Sequence, residues 1–496
     1  MAAVLIVGAG PTGLTLACGL ARLGAKVRII DKSPEFQSSS RGKGLNTRSL
    51  EVLADLGIGD RLLAAGRTRL PFRKYFAGEF VADADLSLDS APTPDAPYPG
   101  GLFLPQFRVE ELLREQLATY GVKVELGVEL ADFSQDEHHV TVTLADGGRI
   151  TADYLVGCDG GRSPVRKRLG LGFEGSSDPE QAMVCGDVEV DGLDRTVWHQ
   201  WFGPEGAVLL CPFEGSEKWQ FQASPEREAS GAEVEPSLES FQRIFDRCAG
   251  LPDVRLRNAT WLSTWRVNVR MADRYRVGRV LIAGDAAHVH PIAGGLGMNT
   301  GIQDAWNLGW KLAHVVTGQA EPGLLDTYEE ERLPIAAWTL NLTSATLSTM
   351  NESIRTPGVG IESGFTPDLT GLGIGYRRSS LSDDRLGGSL RAGDRAPDAP
   401  LLGPDATPTR LFDLYAGGHF TLLSFGHPAP ELETAVRSVA IDAGPGSFDD
   451  VDGHARRAYG VDGAALVLVR PDNHIALTAR ADDAAAVRAY LAGLGR

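Results

Sequence analysis

Val4-Leu5-Ile6-Val7-Gly8-Ala9-Gly10-Pro11-Thr12-Gly13-Leu14 stands almost at the start of the chain and sets its architecture. Four consecutive apolar residues read as a strand buried on both faces of a parallel sheet. The glycines at 8, 10 and 13 then divide three tasks: a tight turn, close approach of backbone to a pyrophosphate, and close packing of helix on strand. Residues 14–23 continue with helical periodicity, and the start of that helix aims free N–H groups and positive partial charge at a phosphate. A second apolar strand, Val27-Arg28-Ile29-Ile30, ends in Asp31, where an acid suits a ribose hydroxyl, with Lys32 beside it. Gly8, Gly10, Pro11, Thr12, Gly13, Asp31 and Lys32 are therefore candidate nucleotide contacts. The loop alone does not separate NAD from FAD.

Two later segments repeat the theme. Cys158-Asp159-Gly160-Gly161-Arg162-Ser163-Pro164-Val165-Arg166 leaves the apolar run 154–157 through an Asp-Gly turn, and Arg166 is suited to offsetting phosphate charge. Val280-Leu281-Ile282-Ala283-Gly284-Asp285-Ala286-Ala287-His288 again runs strand, Gly-Asp, small-residue turn. Pro291-Ile292-Ala293-Gly294-Gly295-Leu296-Gly297-Met298-Asn299-Thr300 follows and predicts a helix starting near Met298. In this order and at these separations, the three segments resemble the class A flavin-dependent aromatic hydroxylases, FAD-dependent monooxygenases, and most closely those that act on aromatic polyketides and carry a C-terminal thioredoxin-like domain.

The resemblance implies a site. Asp159 and Gly160 would lie between the FAD pyrophosphate and the path of the nicotinamide. Gly284 and Asp285 would meet the ribityl chain, where an ionised carboxylate accepts from hydroxyls. Pro291, Gly295, Gly297, Met298 and Asn299 would floor the isoalloxazine, with a helix N-terminus stabilising negative charge on the reduced ring. Leu296 stands where many members of the family carry Gln, which changes that floor. Arg41, ahead of a helix over 47–56, and Gln106, just before a helix over 109–120, match further flavin contacts. No side chain in these motifs is an obvious base for a phenol, so no catalytic acid–base residue is named.

Composition agrees. With 496 residues, two or three domains are expected, and 43% hydrophobic with 23% charged residues is ordinary for a globular chain. A net charge of −17 argues against nucleic acid or an anionic membrane surface as partner. No apolar run reaches membrane-span length and no export signal is visible. Cys18, Cys158, Cys185, Cys211 and Cys248 are scattered, without a C-x-x-C pair. A reduced, cytoplasmic setting is expected. His288 and His290, two residues apart with no third ligand, do not make a metal site.

The fold class expected is α/β. A Rossmann-like, p-hydroxybenzoate hydroxylase-like FAD-binding domain is split into 1–177 and 268–387, the latter including a long helix to about residue 350. The runs 122–126 and 139–144 look like a hairpin within it. Between the halves, 178–267 reads as an antiparallel-sheet substrate domain from its alternating segments 184–190, 197–202, 207–213 and 218–223. Trp198, Gln200 and Phe202 share one face of a strand, as do Trp219 and Phe221 on another. With Pro291 and Ala293 they are the candidate substrate pocket. Residues 388–496 resemble the family's thioredoxin-like domain, but no cysteine follows Cys248, so dithiol chemistry is excluded.

The function implied is hydroxylation of an aromatic, polycyclic polyketide substrate through a flavin C4a-hydroperoxide, with O2 and NAD(P)H, NADPH favoured, as co-substrates. A small-phenol hydroxylase of aromatic catabolism and a Baeyer–Villiger oxidation of a polyketide are the alternatives. So is an FAD-binding protein without turnover. A monomer or homodimer is expected.

Overall fold

The computed structural model describes residues 2–40, 42–85, 91–291, 293–353, 355–432 and 436–494; Arg41, a candidate flavin contact, lies outside them. Among the described residues, the first sheet runs in the order Arg276–Val277, Val280–Ile282, Arg149–Gly157, Ala2–Val7, Val27–Asp31, Val124–Leu126. From Val280–Ile282 to Val124–Leu126 the pairing is parallel. Val4, Leu5 and Ile6 are fully buried, as a central strand covered on both faces requires. The expected hairpin is corrected. Val124–Leu126 is a parallel edge strand beside Val27–Asp31, and the hairpin is built instead from Leu130–Gln135 and Val140–Leu144. Helix Pro11–Arg22 packs against helix Leu296–Val316 behind the sheet.

The second sheet, also eight-stranded among the described residues, is long and twisted. Its order is His288–Val289, Leu256–Ala272, Phe173–Val190, Lys218–Ala223, Gly206–Pro212, Trp198–Gly203, Phe72–Phe76, Glu79–Ala84. Two features were not read from the sequence. Strands Phe72–Phe76 and Glu79–Ala84 come from the first segment of the chain, so the sheet draws on residues well outside 178–267. Phe72–Phe76 also joins Trp198–Gly203 in parallel, so the sheet is not purely antiparallel. Helix Leu238–Ala249 covers one face with Phe241, Ile244, Phe245 and Cys248. The other face looks toward the flavin-domain loops.

The third sheet is ordered Asp383–Asp384, Ile475–Arg480, Ala465–Val469, Phe420–Phe425, Val436–Ile441; its two outer pairs are parallel and the two inner ones antiparallel, and all but the first strand come from the C-terminal segment. It is fastened to the flavin domain by buried charges. Arg470 Nη1 and Nη2 donate to Glu331 Oε1 and Oε2 at 2.6 and 2.9 Å, and Lys311 Nζ donates to Glu331 Oε2 at 2.6 Å. Asp472 pairs with Arg470 and accepts from Trp310 Nε1, and Arg395 reaches across to Glu51. The segment 388–408 is therefore more than a linker: Arg395 is buried and Pro400–Leu402 pairs with Pro408–Arg410.

Candidate active site

The three motifs meet at the carboxyl ends of the first sheet's strands. Gly8 has φ +103°, and a Cβ there would lie 2.3 Å from Cys158 O, so the first loop and the second touch backbone to backbone. Cys158 N donates to Val7 O at 2.8 Å. A Cβ on Gly13 would sit 2.0 Å from Gly8 O, which is the close helix–strand packing the motif demands. The third motif docks through one side chain. Thr12 is wedged between Gly284 and Gly301, whose hypothetical Cβ atoms would fall 2.5 and 2.3 Å from Thr12 Oγ1. Thr12 thus joins the first motif to the third by packing.

Around this junction the polar groups sort into struts and open positions. Asp31 Oδ2 accepts from Ala9 N and Oδ1 from Ser33 N, both at 2.8 Å, which fixes the carboxylate beside the first loop. Lys32 is exposed. Gln106 is the first residue of its helix, which spans Gln106–Thr119 and begins three residues earlier than expected. Its Oε1 accepts from Gly42 N and its Nε2 donates to Glu110, so it holds the loop that follows Ser40. Asn299 Oδ1 accepts from Asn46 N, and its Nδ2 donates to Gly44 O and Gly295 O. That pins the helix Leu296–Val316 at its start, two residues before the expected Met298. Gly294 and Gly295, at φ +74° and +65°, turn the chain into it. Pro291 and Ala293 are buried in this loop, while Gly297 and Met298 are half-buried.

Arg166 departs from its expected role. Its guanidinium donates to Ala286 O and Gly161 O, both at 2.8 Å, and lies 3.6 Å from the centre of the Phe173 ring. It is buried and ties the second motif to the third rather than reaching a phosphate groove.

Three observations show that the site suits an FAD. No atom lies within 4 Å of where a Cβ on Gly10 or Gly160 would be, so the backbone is open exactly along the expected pyrophosphate track. Asp159 Oδ2 accepts from Val165 N, but its buried Oδ1 has no hydrogen-bond partner among the described residues, and burial pushes this carboxyl above its ordinary range. Asp285 is exposed on the short turn Gly284–Ala286.

Behind the third motif lies a buried network that the sequence did not announce. Asp304 Oδ2 accepts from Gly284 N at 3.1 Å and lies 2.6 Å from His288 Nε2, and Asp304 Oδ1 accepts from Arg332 Nε at 2.7 Å. Burial alone would raise the Asp304 carboxyl, yet Arg332 and His288 hold it below its usual range. His288 is thus committed to Asp304.

The roof is the sheet face opposite these loops. Paired registers put Lys74, Gln200, Leu209, Gln222 and Cys185 in one row across it, and Phe72, Trp198, Cys211, Gln220 and Asp187 in the next, with Phe76, Phe202 and Ala207 beyond. Trp198, Gln200 and Phe202 therefore face the loops. Trp219 and Phe221 do not: they point to the other face, into the cluster with Trp201, Phe241 and Phe245. The alternation is strict, so the flavin-side residues of that strand are Gln220 and Gln222. At one end Gln200 Oε1 accepts from Ile361 N, and Lys74 pairs with Glu362 at 2.9 Å. At the other end Lys43, from the loop after Ser40, donates to Gln220 and Gln222.

A glycine loop at strand ends, a half-satisfied buried carboxylate beside it and a lined sheet over a helix start fit a flavoprotein of the aromatic-hydroxylase type. The comparisons agree: residues 1–343 match the family described as FAD binding domain, and 389–494 match the C-terminal region of aromatic-ring hydroxylases, and the chain belongs to this family of flavin-dependent monooxygenases. It is 44% identical over 485 residues to a flavin-dependent monooxygenase of Mycobacteroides abscessus, covering 95% of this chain and 96% of that one. A 6-methylpretetramide 4-monooxygenase of Streptomyces rimosus is 37% identical, covering 95% and 90%. A pentachlorophenol 4-monooxygenase of Sphingobium chlorophenolicum is 36% identical, covering 96% and 93%. Among solved structures, aklavinone-11 hydroxylase with FAD and aklavinone superposes with a TM-score of 0.82 at 29% identity, covering 99% and 98%. Among the described residues, no helix is long and apolar enough to cross a membrane.

Proposed function

We propose that the enzyme hydroxylates a polycyclic aromatic polyketide, drawing electrons from NADPH and oxygen from O2. The observation that carries the substrate class is the roof: Trp198, flanked by Phe72 at 5.3 Å and Phe103 at 6.0 Å between ring centres, with Phe202 and Leu209 on the same face, is a broad aromatic wall interrupted by amides. Flat fused rings bury most of their surface against such a wall while their oxygens find donors along it. The S. rimosus relative and aklavinone-11 hydroxylase act on substrates of that kind.

In this reading FAD supplies the redox chemistry, activating O2 for transfer of one oxygen atom to an electron-rich ring. The chain's own residues do the rest. The loop from Gly8 to Gly13 and the helix after it receive the pyrophosphate, Asp31 a ribose and Asp285 the ribityl hydroxyls. The start of helix Leu296–Val316 would offer its free N–H groups to negative charge on the reduced ring system. Trp198 and its neighbours orient the substrate ring and exclude water.

A small-phenol substrate is the second reading, favoured by the pentachlorophenol relative. The deciding assay is NADPH consumption by the FAD-loaded protein with hydroxylated tetracyclic compounds, anthraquinones and simple phenols, with product masses recorded. Stimulation by a polycyclic compound with gain of one oxygen atom supports the proposal. Stimulation by simple phenols alone moves it to the second reading, and flavin without stimulation by any compound defeats both.

A further inference from the structure

Lys43 meets no carboxylate at ion-pair distance among the described residues, although Asp187 stands near enough to favour its charge. Its ammonium donates to two neutral amide oxygens, Gln220 Oε1 at 2.6 Å and Gln222 Oε1 at 2.7 Å, and lies 4.3 Å from the centre of the Trp198 ring. Among the described residues it makes no ion pair. Lys74 and Lys311, also enclosed, each meet a glutamate, at 2.9 and 2.6 Å. A charge withdrawn from water needs an opposite charge or becomes costly to keep, and burial pushes Lys43 below the ordinary lysine range.

Of the surrounding groups Trp198 offers a donor to an incoming oxygen, while the Asp187 carboxylate accepts only and works against a negative one, so the ammonium must outweigh it. Asp187, opposite Gln220 on the neighbouring strand, gives Oδ2 to Ser40 N, and its buried Oδ1 has no partner among the described residues. Trp198 Nε1 is a buried donor without an acceptor among the described residues. The indoles of Trp201 and Trp219 share that feature on the far face, so an indole alone decides nothing. What sets Trp198 apart is the unpaired ammonium against its ring on the face that looks toward the flavin loops. The remaining titratable groups near the ammonium are Cys185 and Cys211, both pushed up to about 12 by burial and so neutral, while Lys218 lies toward Asp187.

We propose that Lys43 is the oxygen-holding residue of the substrate pocket, taking a ring hydroxyl of the aromatic substrate as its phenolate. The inference rests on the aromatic-hydroxylase reading above. On binding, the phenolic O–H bond breaks, the electron pair stays on the ring oxygen beside the ammonium, and the proton leaves to water. The phenolate is the electron-rich form of the ring that accepts an oxygen atom. Gln220 and Gln222 hold Nζ in place and are positioning residues.

The test uses two phenols whose absorption changes on ionisation, 2-hydroxyanthraquinone and 4-nitrophenol. Each is titrated across pH with the FAD-loaded full chain as wild type, Lys43→Gln and Lys43→Arg. A neighbouring cation lowers an acid's pKa by about one unit or more. The bound probe should show that lowering in wild type and Lys43→Arg, and lose it in Lys43→Gln. A lowering of equal size in Lys43→Gln overturns the proposal. The wild-type titration tests it even where Lys43→Gln fails to fold: preferential binding of the neutral phenol, or no binding of either probe, also overturns it. The two readings fail separately. A Lys43-dependent shift without NADPH turnover sinks the hydroxylase assignment and leaves the anion site standing, whereas turnover with a shift independent of Lys43 does the reverse.

Discussion

Gly301 lies in the interior of helix Leu296–Val316, where exchange for alanine would ordinarily stabilise by about 1 kcal/mol through backbone entropy. The structure predicts the opposite sign. The new methyl would sit 2.3 Å from Thr12 Oγ1, more than 1 Å inside the optimum contact of about 3.5 Å. Thr12 has little room to yield, because its other side packs on Gly284, at φ +62°, so closely that a Cβ there would fall 2.5 Å from the same oxygen. Overpacking of this kind costs about 1–3 kcal/mol, and two glycines gripping one side chain put this site at the upper end, about 3, so Gly301→Ala should come out roughly 2 kcal/mol less stable than the parent after the helix gain is set against it. The displaced residue is Thr12 itself, in the first glycine loop, so FAD retention should fall with stability. Thr12→Ala removes the obstructing oxygen, and the double variant should recover both, with a coupling energy of at least about 1 kcal/mol. Urea titration followed by release of flavin fluorescence measures the cycle. Additive effects, or a Gly301→Ala protein as stable as the parent, would show that the two glycines do not grip Thr12 and that the motifs are joined some other way.

Glu331→Gln leaves Lys311 and Arg470 buried with one carboxylate fewer. Breaking a buried pair from one side costs about 3–5 kcal/mol, and the urea midpoint should fall accordingly, with the C-terminal unit becoming the first region open to proteolysis; an unchanged midpoint would refute the role given to this ion cluster. Asp187 is raised from 3.8 to about 6 by burial, against the pull of Ser40 N–H, Lys218 and Lys43. Between about pH 4 and 6 the unfolded chain has released a proton that the folded one retains, so this carboxyl subtracts stability as pH climbs through that window. Asp187→Asn should flatten the pH–stability curve there and gain at most about 3 kcal/mol at pH 7, whereas a curve superposable on the parent's would contradict the burial argument.

The parts of the site that were legible are those whose chemistry demands a local pattern. Gly8 and Gly13 are glycines because two backbones and a helix crowd one point, and that constraint is written within six residues. The faces of the second sheet were half legible. Alternation correctly grouped Trp198 with Phe202, and Trp219 with Phe221, but it does not say which face looks at the flavin domain. A signal for the choice existed: Phe241, Ile244, Phe245 and Cys248 make an apolar helical stripe that needs aromatic partners, and Trp201, Trp219 and Phe221 supply them. That leaves Gln220 and Gln222 for the other side. Partners distant in sequence were not legible at all. Thr12 was singled out for the nucleotide and not for Gly301, and Glu51 with Arg395 and Glu331 with Arg470 are pairs whose members look like ordinary surface or helix residues until the fold brings them together.

The buried charges also give the C-terminal unit a role that its lack of cysteines leaves open. Arg48 and Glu51 stand on the helix that follows Asn46, and Asn46 N is held by Asn299 at the start of helix Leu296–Val316. Lys311, Trp306 and Trp310 stand further along that same helix. Arg395 grips Glu51, and Asp472 accepts from Trp306, Trp310 and Arg48. The tail therefore grips the first turns of one helix and the body of the other, the two whose starts are joined through Asn46 and Asn299. Ion pairs are a poor way to add stability in an interior, since desolvation cancels most of their attraction, but each is satisfied in one alignment only. A contact made of bidentate guanidinium–carboxylate pairs resists sliding where a greasy one would allow it. A helix held along its body in one register presents its N-terminus at one place, and placement is what stabilisation of a developing negative charge requires.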